Sequence, residues 1–145
     1  YFFSGDYETA AAAFDQSLTL KPDNEFLKPW RYTALVRAGQ EGLARSSYAG
    51  LAGEPVEEQS WFDALTLHLM GQLTEEQLIG RVESRDARLK DAQICEAYYF
   101  IGVTKLNSDP EEAAAYFRRA LRSQATQLSA YQAAQLAVEQ GSPNR

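Results

Sequence analysis

The sequence predicts an all-α fold made of antiparallel helix pairs, and three observations support this prediction. Apolar residues recur at helical spacing along most of the chain, no segment shows convincing strand-like alternation, and residue types recur about every 34 residues. A single helix pair cannot bury its apolar face, so such repeats stack and share one continuous core. We therefore expect a stretch of solenoid rather than one globular core.

Two sets of positions carry the repeat. The first set, separated by 34, 34 and 35 residues, is Ala10, Ala44, Leu78 and Ala113. Four residues after each of these come Phe14, Tyr48, Val82 and Phe117. A small residue lets two helices approach closely, and the residue four positions later fills the adjacent groove. The spacing therefore predicts the helix-packing positions of four repeat units.

Capping and breaking residues place the helices in order. The first helix begins near Asp6 and ends before Pro22, because the residue before a proline disfavours the helical conformation. Gly39 is a typical helix C-cap, and Asp109 followed by Pro110 is a typical helix start. The predicted helices span about 6–20, 25–38, 41–51, 57–70, 74–84, 89–106, 109–123 and 126–140, the last one stopping at Gly141.

Composition excludes several classes of function. The chain has 145 residues, a net charge of −6 and 45% hydrophobic residues, which suits one domain or one run of repeats. The acidic balance argues against general binding to a phosphate backbone, and no apolar stretch is long enough for a membrane helix. One Cys and one His cannot form a Cys/His zinc site. We therefore predict no cofactor, no metal, no nucleic-acid partner and no membrane-spanning segment.

No residue pattern predicts catalysis. His68 lacks the motif of a nucleophile and its base, so a helix-surface or groove position is the favoured interpretation. Cys95 has acidic and aromatic neighbours, which favours a buried, unreactive thiol. Paired glutamates lie near predicted helix N-termini, where the helix dipole accounts for them. We therefore predict no catalytic residue.

Basic residues form two short runs in the second half of the chain. They are Arg81, Arg85, Arg88 and Lys90, then Arg118, Arg119 and Arg122. A solvated face, or a contact with the negative end of a helix dipole, is favoured over an anion site for both runs.

The repeat resembles the tetratricopeptide repeat. Residues 1–24, YFFSGDYETAAAAFDQSLTLKPDN, resemble its second half, and residues 97–121, AYYFIGVTKLNSDPEEAAAYFRRAL, resemble nearly a whole unit. The resemblance implies a right-handed superhelix of antiparallel helix pairs. On this resemblance, the chain divides into the second half of a repeat at 1–24, degenerate repeats at 25–55 and 56–88, a repeat at 89–124 and a capping helix at 125–141.

In tetratricopeptide proteins the first helix of each pair lines a concave groove. The resemblance implies these partner-binding residues: Thr33, Val36, Arg37, Trp61, Leu65, His68, Tyr99, Val103 and Leu106. The stripe is largely apolar, so it suits a helical or extended peptide better than a carboxylate. The Lys and Asn of the chaperone-tail clamp are absent from the corresponding positions. For Trp61 and Tyr99, core packing remains an equal alternative.

The order of elements, with LMGQLTEEQLIGRV before EAYYFIGVTKL, resembles the family of the bacterial outer-membrane lipoprotein NlpI. This resemblance implies a periplasmic, lipid-anchored adaptor, commonly dimeric, that brings cell-wall hydrolases and a protease together; otherwise we expect a cytoplasmic protein. The start at Tyr1-Phe2-Phe3 resembles the end of a helix. We therefore expect missing upstream sequence and a self-associating N-terminal face. A regulatory or structural module of a larger protein remains the alternative to an adaptor.

Overall fold

The computed structural model describes Phe2, residues 5–83 and residues 85–140. All regular structure in these residues is helical, and they contain no strand. The predicted all-α fold class is therefore confirmed. The chain divides into two compact units, Tyr1–Thr74 and Glu75–Arg145.

The described residues of the first unit form four α-helices. They are α1 (Tyr7–Leu20), α2 (Leu27–Arg37), α3 (Glu41–Ser47) and α4 (Trp61–Leu69), with 3₁₀ turns at Ala49–Gly53 and Val56–Glu58 between the last two. Contacts between α1 and α2 join Tyr7 to Arg37 and Asp15 to Arg31, so these two helices run antiparallel.

Helix α4 packs against α2 in a parallel orientation, unlike the antiparallel α1–α2 pair. Phe26, at the N-cap of α2, contacts Phe62, and Lys28 pairs with Asp63. The residue numbers of the contacting partners rise together along the two helices, and both contacts join their N-terminal ends, so α2 and α4 run parallel. The assignment of α2 and α4 as the first helices of two successive repeat pairs stays a prediction.

Within residues 75–83 and 85–140, the second unit forms a short helix and three longer ones. They are α5 (Glu75–Ile79), α6 (Ala87–Lys105), α7 (Pro110–Ala120) and α8 (Ser129–Gln140). Lys105 pairs with Glu112 near the connecting turn, and Asp91 bonds Ser123 at the far end, so α6 and α7 run antiparallel. Helix α8 packs against both of them.

The repeat positions lie in the cores of the two units. Ala10, Ala44, Leu78 and Ala113 are all buried. Their partners four residues later, including Tyr48 and Phe117, are buried or half-buried. At Ala10, Ala44, Leu78 and Ala113 the period therefore marks buried positions within helices, whereas Tyr48 and Val82 lie beyond the ends of α3 and α5.

Helix starts and stops follow local capping chemistry. Asp6 and Asp109 accept hydrogen bonds from the backbone N–H groups of Thr9 and Glu112, both at 3.1 Å, which confirms both predicted starts. Gly39 has a φ of 82°, and the N–H of the next residue, Gln40, donates to Leu35 O at 2.8 Å. A left-handed residue followed by this bond is a common helix ending, so the predicted stop is confirmed.

Five predicted helix limits were wrong by three residues or more. Helix α7 ends at Ala120 rather than 123, and α8 begins at Ser129 rather than 126. Helix α3 stops at Ser47 rather than Leu51, because the hydroxyls of Ser46 and Ser47 both donate to Leu43 O and compete with the helical pattern. Residues 41–51 therefore finish in a 3₁₀ turn.

The other two corrections concern α4 and α5. Helix α4 begins at Trp61 rather than residue 57, because Ser60 and Asp63 form a reciprocal capping box. Helix α5 ends at Ile79, immediately before Gly80, whose backbone freedom disfavours helix. The expectations that involve Tyr1, Phe3, Ser84 and Gly141 lie outside the described residues.

Candidate functional site

The predicted partner-binding residues fall in both units. Thr33, Val36 and Arg37 lie on α2, and Trp61, Leu65 and His68 lie on α4. Tyr99 and Val103 lie on α6, and Leu106 caps the end of that helix. Their role in partner binding stays a prediction, but their burial separates them into two classes.

Three members of the set in the first unit are buried. Thr33 is 2% exposed, and its hydroxyl donates to Pro29 O at 2.8 Å. Leu65 is fully buried. His68 is also buried, with Nδ1 2.8 Å from Leu73 O in the loop after α4. These side chains fix the positions of α2 and α4 and of the loop.

The other three members in this unit reach solvent. Arg37 is exposed, and its guanidinium lies 4.7 Å above the centre of the Tyr7 ring. Val36 is half-buried against the core, and Trp61 is half-buried at the first position of α4. The accessible part of the predicted set in the first unit thus comprises one aromatic, one aliphatic and one cationic side chain.

An ion pair holds the beginnings of α2 and α4 together. Lys28 Nζ lies 2.8 Å from Asp63 Oδ1, and Asp63 also accepts a hydrogen bond from Ser60 N through its other oxygen. Burial lowers the pKa of Lys28, but the hydrogen bond and charge of Asp63 outweigh it, so the pKa is raised overall. This pair positions Trp61 relative to α2.

A buried arginine joins α1, α2 and α3. Arg31 Nε lies 2.9 Å from Asp15 Oδ1, and Arg31 Nη1 donates to the Tyr48 hydroxyl at 3.3 Å. The same guanidinium lies over the Tyr48 ring, 5.6 Å from its centre. One side chain thus connects a repeat-position aromatic to the preceding helix pair, which is a structural role.

In the second unit, Tyr99 is buried and packs between two aromatic rings. Its ring centre lies 5.0 Å from that of Phe100 and 5.6 Å from that of Phe117. Val103 and Leu106 are half-buried on the same helix. Of the predicted set in this unit, Val103 and Leu106 are therefore partly accessible, while Tyr99 belongs to the core.

The chemistry of the described residues gives no catalytic arrangement. Burial raises the pKa of the Cys95 thiol to about 12, so almost no nucleophilic thiolate forms at neutral pH. The described part of the chain has no group of three or more His, Cys, Asp or Glu side chains able to hold a metal ion. None of its helices is long and apolar enough to cross a membrane.

Comparison with known proteins agrees with the geometry. The family model of the tetratricopeptide repeat matches residues 1–24, which include α1 and the turn after it. The match supports a tetratricopeptide repeat protein. Repeats of this family generally mediate contacts between proteins. No curated protein and no solved structure matches the chain.

Sequence reasoning overlooked two contacts, one in each unit. Phe26 is half exposed and contacts Phe62 edge to face, with ring centres 6.5 Å apart. The serine and aspartate that cap α4 were the available signal, because they place Phe62 in its first turn. The position of Asp91 beside Ser123 could not be read from the sequence, because it depends on how α6 and α7 pack.

Proposed function

We propose that this chain is a non-enzymatic adaptor that binds protein partners through the accessible faces of its first helices. The observation that carries the proposal is the parallel packing of α2 and α4, joined by the Lys28–Asp63 pair. This is how successive tetratricopeptide units present their first helices side by side. Val36, Arg37 and Trp61 are the predicted binding residues that this arrangement leaves accessible in the first unit.

The chemistry of these three side chains favours a peptide ligand with an apolar anchor. Trp and Arg are enriched among residues that contribute most to binding between proteins. Trp61 supplies a large apolar surface at the start of α4, and Arg37 supplies hydrogen-bond donors at the end of the parallel helix α2. A helical or extended segment that runs along the two helices, with an apolar side chain at one end and an acceptor at the other, would contact both.

The second unit contributes a smaller apolar surface in this proposal. Val103 and Leu106 are half-buried on one face of α6, and buried Tyr99 fixes that face. Both residues are aliphatic, so they add contact area and no directional bond. We therefore expect their substitutions to weaken binding less than substitutions at Trp61.

A more specific role extends the proposal. The resemblance to the NlpI family supports a periplasmic lipoprotein that recruits cell-wall hydrolases or a protease and self-associates. The support is the order of sequence elements, in which a capping-box segment precedes the aromatic helix α6 and a complete repeat. Recovery of an upstream lipoprotein signal in the coding sequence would favour this role, and an upstream catalytic domain would contradict it.

Photo-crosslinking tests the general proposal. A photoreactive phenylalanine analogue in place of Trp61 should capture a protein partner in cells, and Arg37→Glu should weaken purified complex formation about tenfold. Arg118→Glu is the matched control, because Arg118 is an exposed arginine in the last turn of α7, as Arg37 is in the last turn of α2.

Two results would contradict the groove assignment. One is equal affinity of every captured partner for the Trp61→Ala variant and the unchanged chain. The other is equal weakening by Arg37→Glu and Arg118→Glu, which would indicate a general charge effect. Circular dichroism of each variant checks that helix content is retained.

A further inference from the structure

An open cleft lies in the second unit, where the N-terminal half of α6 meets the end of α7 and the turn before α8. It consists of two adjoining hollows of about 290 and 560 Å³ that share Asp91 and Arg122. We call it the Asp91 cleft. The side chains that give it its chemistry are Arg88, Asp91, Ile94, Tyr98, Arg119 and Arg122.

The Asp91 cleft is cationic on an acidic protein. Three arginines against one aspartate leave its lining with a formal charge of +2, whereas the chain carries −6. Asp91 is already engaged, because its Oδ2 accepts hydrogen bonds from the Ser123 hydroxyl at 2.8 Å and from Gln124 N at 3.1 Å. Its carboxylate therefore holds the α7–α8 turn.

The arginines around the cleft keep donors available. Within the described residues, neither Arg88 nor Arg122 lies within ion-pair distance of a carboxylate. Arg119 lies over the Tyr116 ring, with its guanidinium carbon 4.7 Å from the ring centre. Tyr116 is also hydrogen-bonded to Arg119, so Arg88 and Arg122 are the cleft arginines offered to a planar carboxylate.

The floor of the cleft is apolar. Ile94 and Tyr98 are half-buried there, and fully buried Cys95 lies beneath them. Tyr98 is held by Tyr116, with ring centres 6.0 Å apart. The cleft thus combines an apolar base with a cationic rim. This combination suits a ligand that carries both an apolar group and anionic groups better than it suits a small free anion.

We infer that the Asp91 cleft is a second binding site, for a short acidic peptide segment with an apolar side chain between its carboxylates. The carboxylates bind Arg88 and Arg122 at the rim, and the apolar side chain packs on Ile94 and Tyr98. Several charged contacts around one buried anchor give both orientation and affinity.

This site differs from the proposed groove. On α6, Asp91, Ile94 and Tyr98 follow one another at three and four residues, so they share one face. Tyr99 points roughly a quarter turn away and Val103 further round the helix, because each residue advances a helix by about 100°. A partner in the groove and a peptide in the cleft would therefore contact different faces of the same helix.

Fluorescence anisotropy tests the inference on the full chain. The probe is a labelled Glu-Glu-Leu-Glu-Glu peptide, which should bind saturably and less tightly as salt rises. The double variant Arg88→Glu/Arg122→Glu should weaken binding about tenfold or more, since it reverses two charges at the rim. If charge reversal lowers helix content, the neutral pair Arg88→Gln/Arg122→Gln takes its place.

The controls separate this site from the groove and from general charge effects. Arg118→Glu and Trp61→Ala should leave peptide affinity unchanged within about twofold, since neither residue lines the cleft. If the peptide Glu-Glu-Ser-Glu-Glu bound with equal affinity, the proposed contact between an apolar side chain and the floor of the cleft would be wrong. No saturable binding, or equal weakening by Arg118→Glu, would overturn the site itself while leaving the groove proposal intact.

Discussion

Gly102 on α6 lies directly against the ring of Phe117 on α7. A Cβ atom placed on Gly102 would be 2.6 Å from Phe117 Cε1 and 3.2 Å from the carbonyl oxygen of Ala113. Both partners are repeat positions, separated by the four-residue spacing found in the sequence. Among the glycines of the described residues, Gly102 is the one where an added Cβ atom would come closest to another atom. Its lack of a side chain therefore lets α6 and α7 pack closely at this point.

We expect Gly102→Ala to destabilise the second unit by about 1–2 kcal/mol. Overpacking of a core costs about 1–3 kcal/mol, and the better helix propensity of alanine offsets up to about 1 kcal/mol of it. Urea unfolding followed by circular dichroism measures the change.

Gly42→Ala is the matched control for this prediction. Gly42 lies in α3, and an added Cβ there meets no atom within 4 Å. The same substitution should therefore be neutral or stabilise by up to about 1 kcal/mol. Equal effects at both glycines would contradict the packing explanation.

The Lys28–Asp63 pair should contribute measurably to stability. Asp63 is 3% exposed and Lys28 is 22% exposed, so solvent screens their attraction only in part. We expect Asp63→Asn to destabilise by about 1–2 kcal/mol, because Lys28 then keeps only Glu25, at 3.3 Å. Glu41→Gln is the control, since its pair with Arg45 is exposed and should be worth below about 0.5 kcal/mol.

The stability difference between the unchanged chain and Asp63→Asn should depend on pH, because the pKa of Lys28 is raised. Folding raises the pKa above the ordinary 10.5, so the stabilisation is complete below pH 10.5 and is lost as pH rises through the folded value. The difference between the unchanged chain and Asp63→Asn should be constant near neutral pH and shrink above 10.5. A difference that grew there would contradict the assignment.

Cys95 should make the protein less stable at high pH. Its thiol titrates near 9.0 when exposed and at about 12 when folded, because burial disfavours the thiolate. Between these values only the unfolded state loses the proton, so stability falls by about 1.4 kcal/mol per pH unit from this group. Unfolding of Cys95→Ala should show a shallower decline over that interval.

Thiol reactivity gives a second check on Cys95. The native chain should react slowly with an aromatic disulfide reagent at neutral pH, and the urea-unfolded chain should react quickly. Fast reaction of the native chain would contradict both the burial and the raised pKa.

Substitutions at Leu65 and Trp61 should affect stability and partner binding to different extents. Leu65 is fully buried, so Leu65→Ala should cost about 2–5 kcal/mol of unfolding free energy. Trp61 is half-buried, so Trp61→Ala should cost less stability and more partner affinity. Unfolding measurements and partner titrations of both variants should therefore rank them in opposite orders.

Much of the fold could be predicted from local signals. Asp6, Gly39 and Asp109 cap helices where expected, since capping depends on residues within one turn. The limits of α3 and α5 were wrong, because serine hydroxyl bonds and a glycine end these helices within an otherwise helical pattern. Burial within the predicted binding set was not predictable either: Thr33 and Val36 are neighbours on α2, yet one is buried and the other half-buried.

The sequence by itself determined the all-α class, the 34-residue period and the buried positions it marks, because periodicity and capping act within a helix or between repeats of the same pattern. Only the tertiary structure decided which of the predicted groove residues reach solvent, that Lys28 meets Asp63, and that Arg122 lies beside Arg88 and Asp91 in one cleft. The last two relationships join residues more than thirty positions apart. They depend on how helices rotate and pack against one another, which local spacing does not specify.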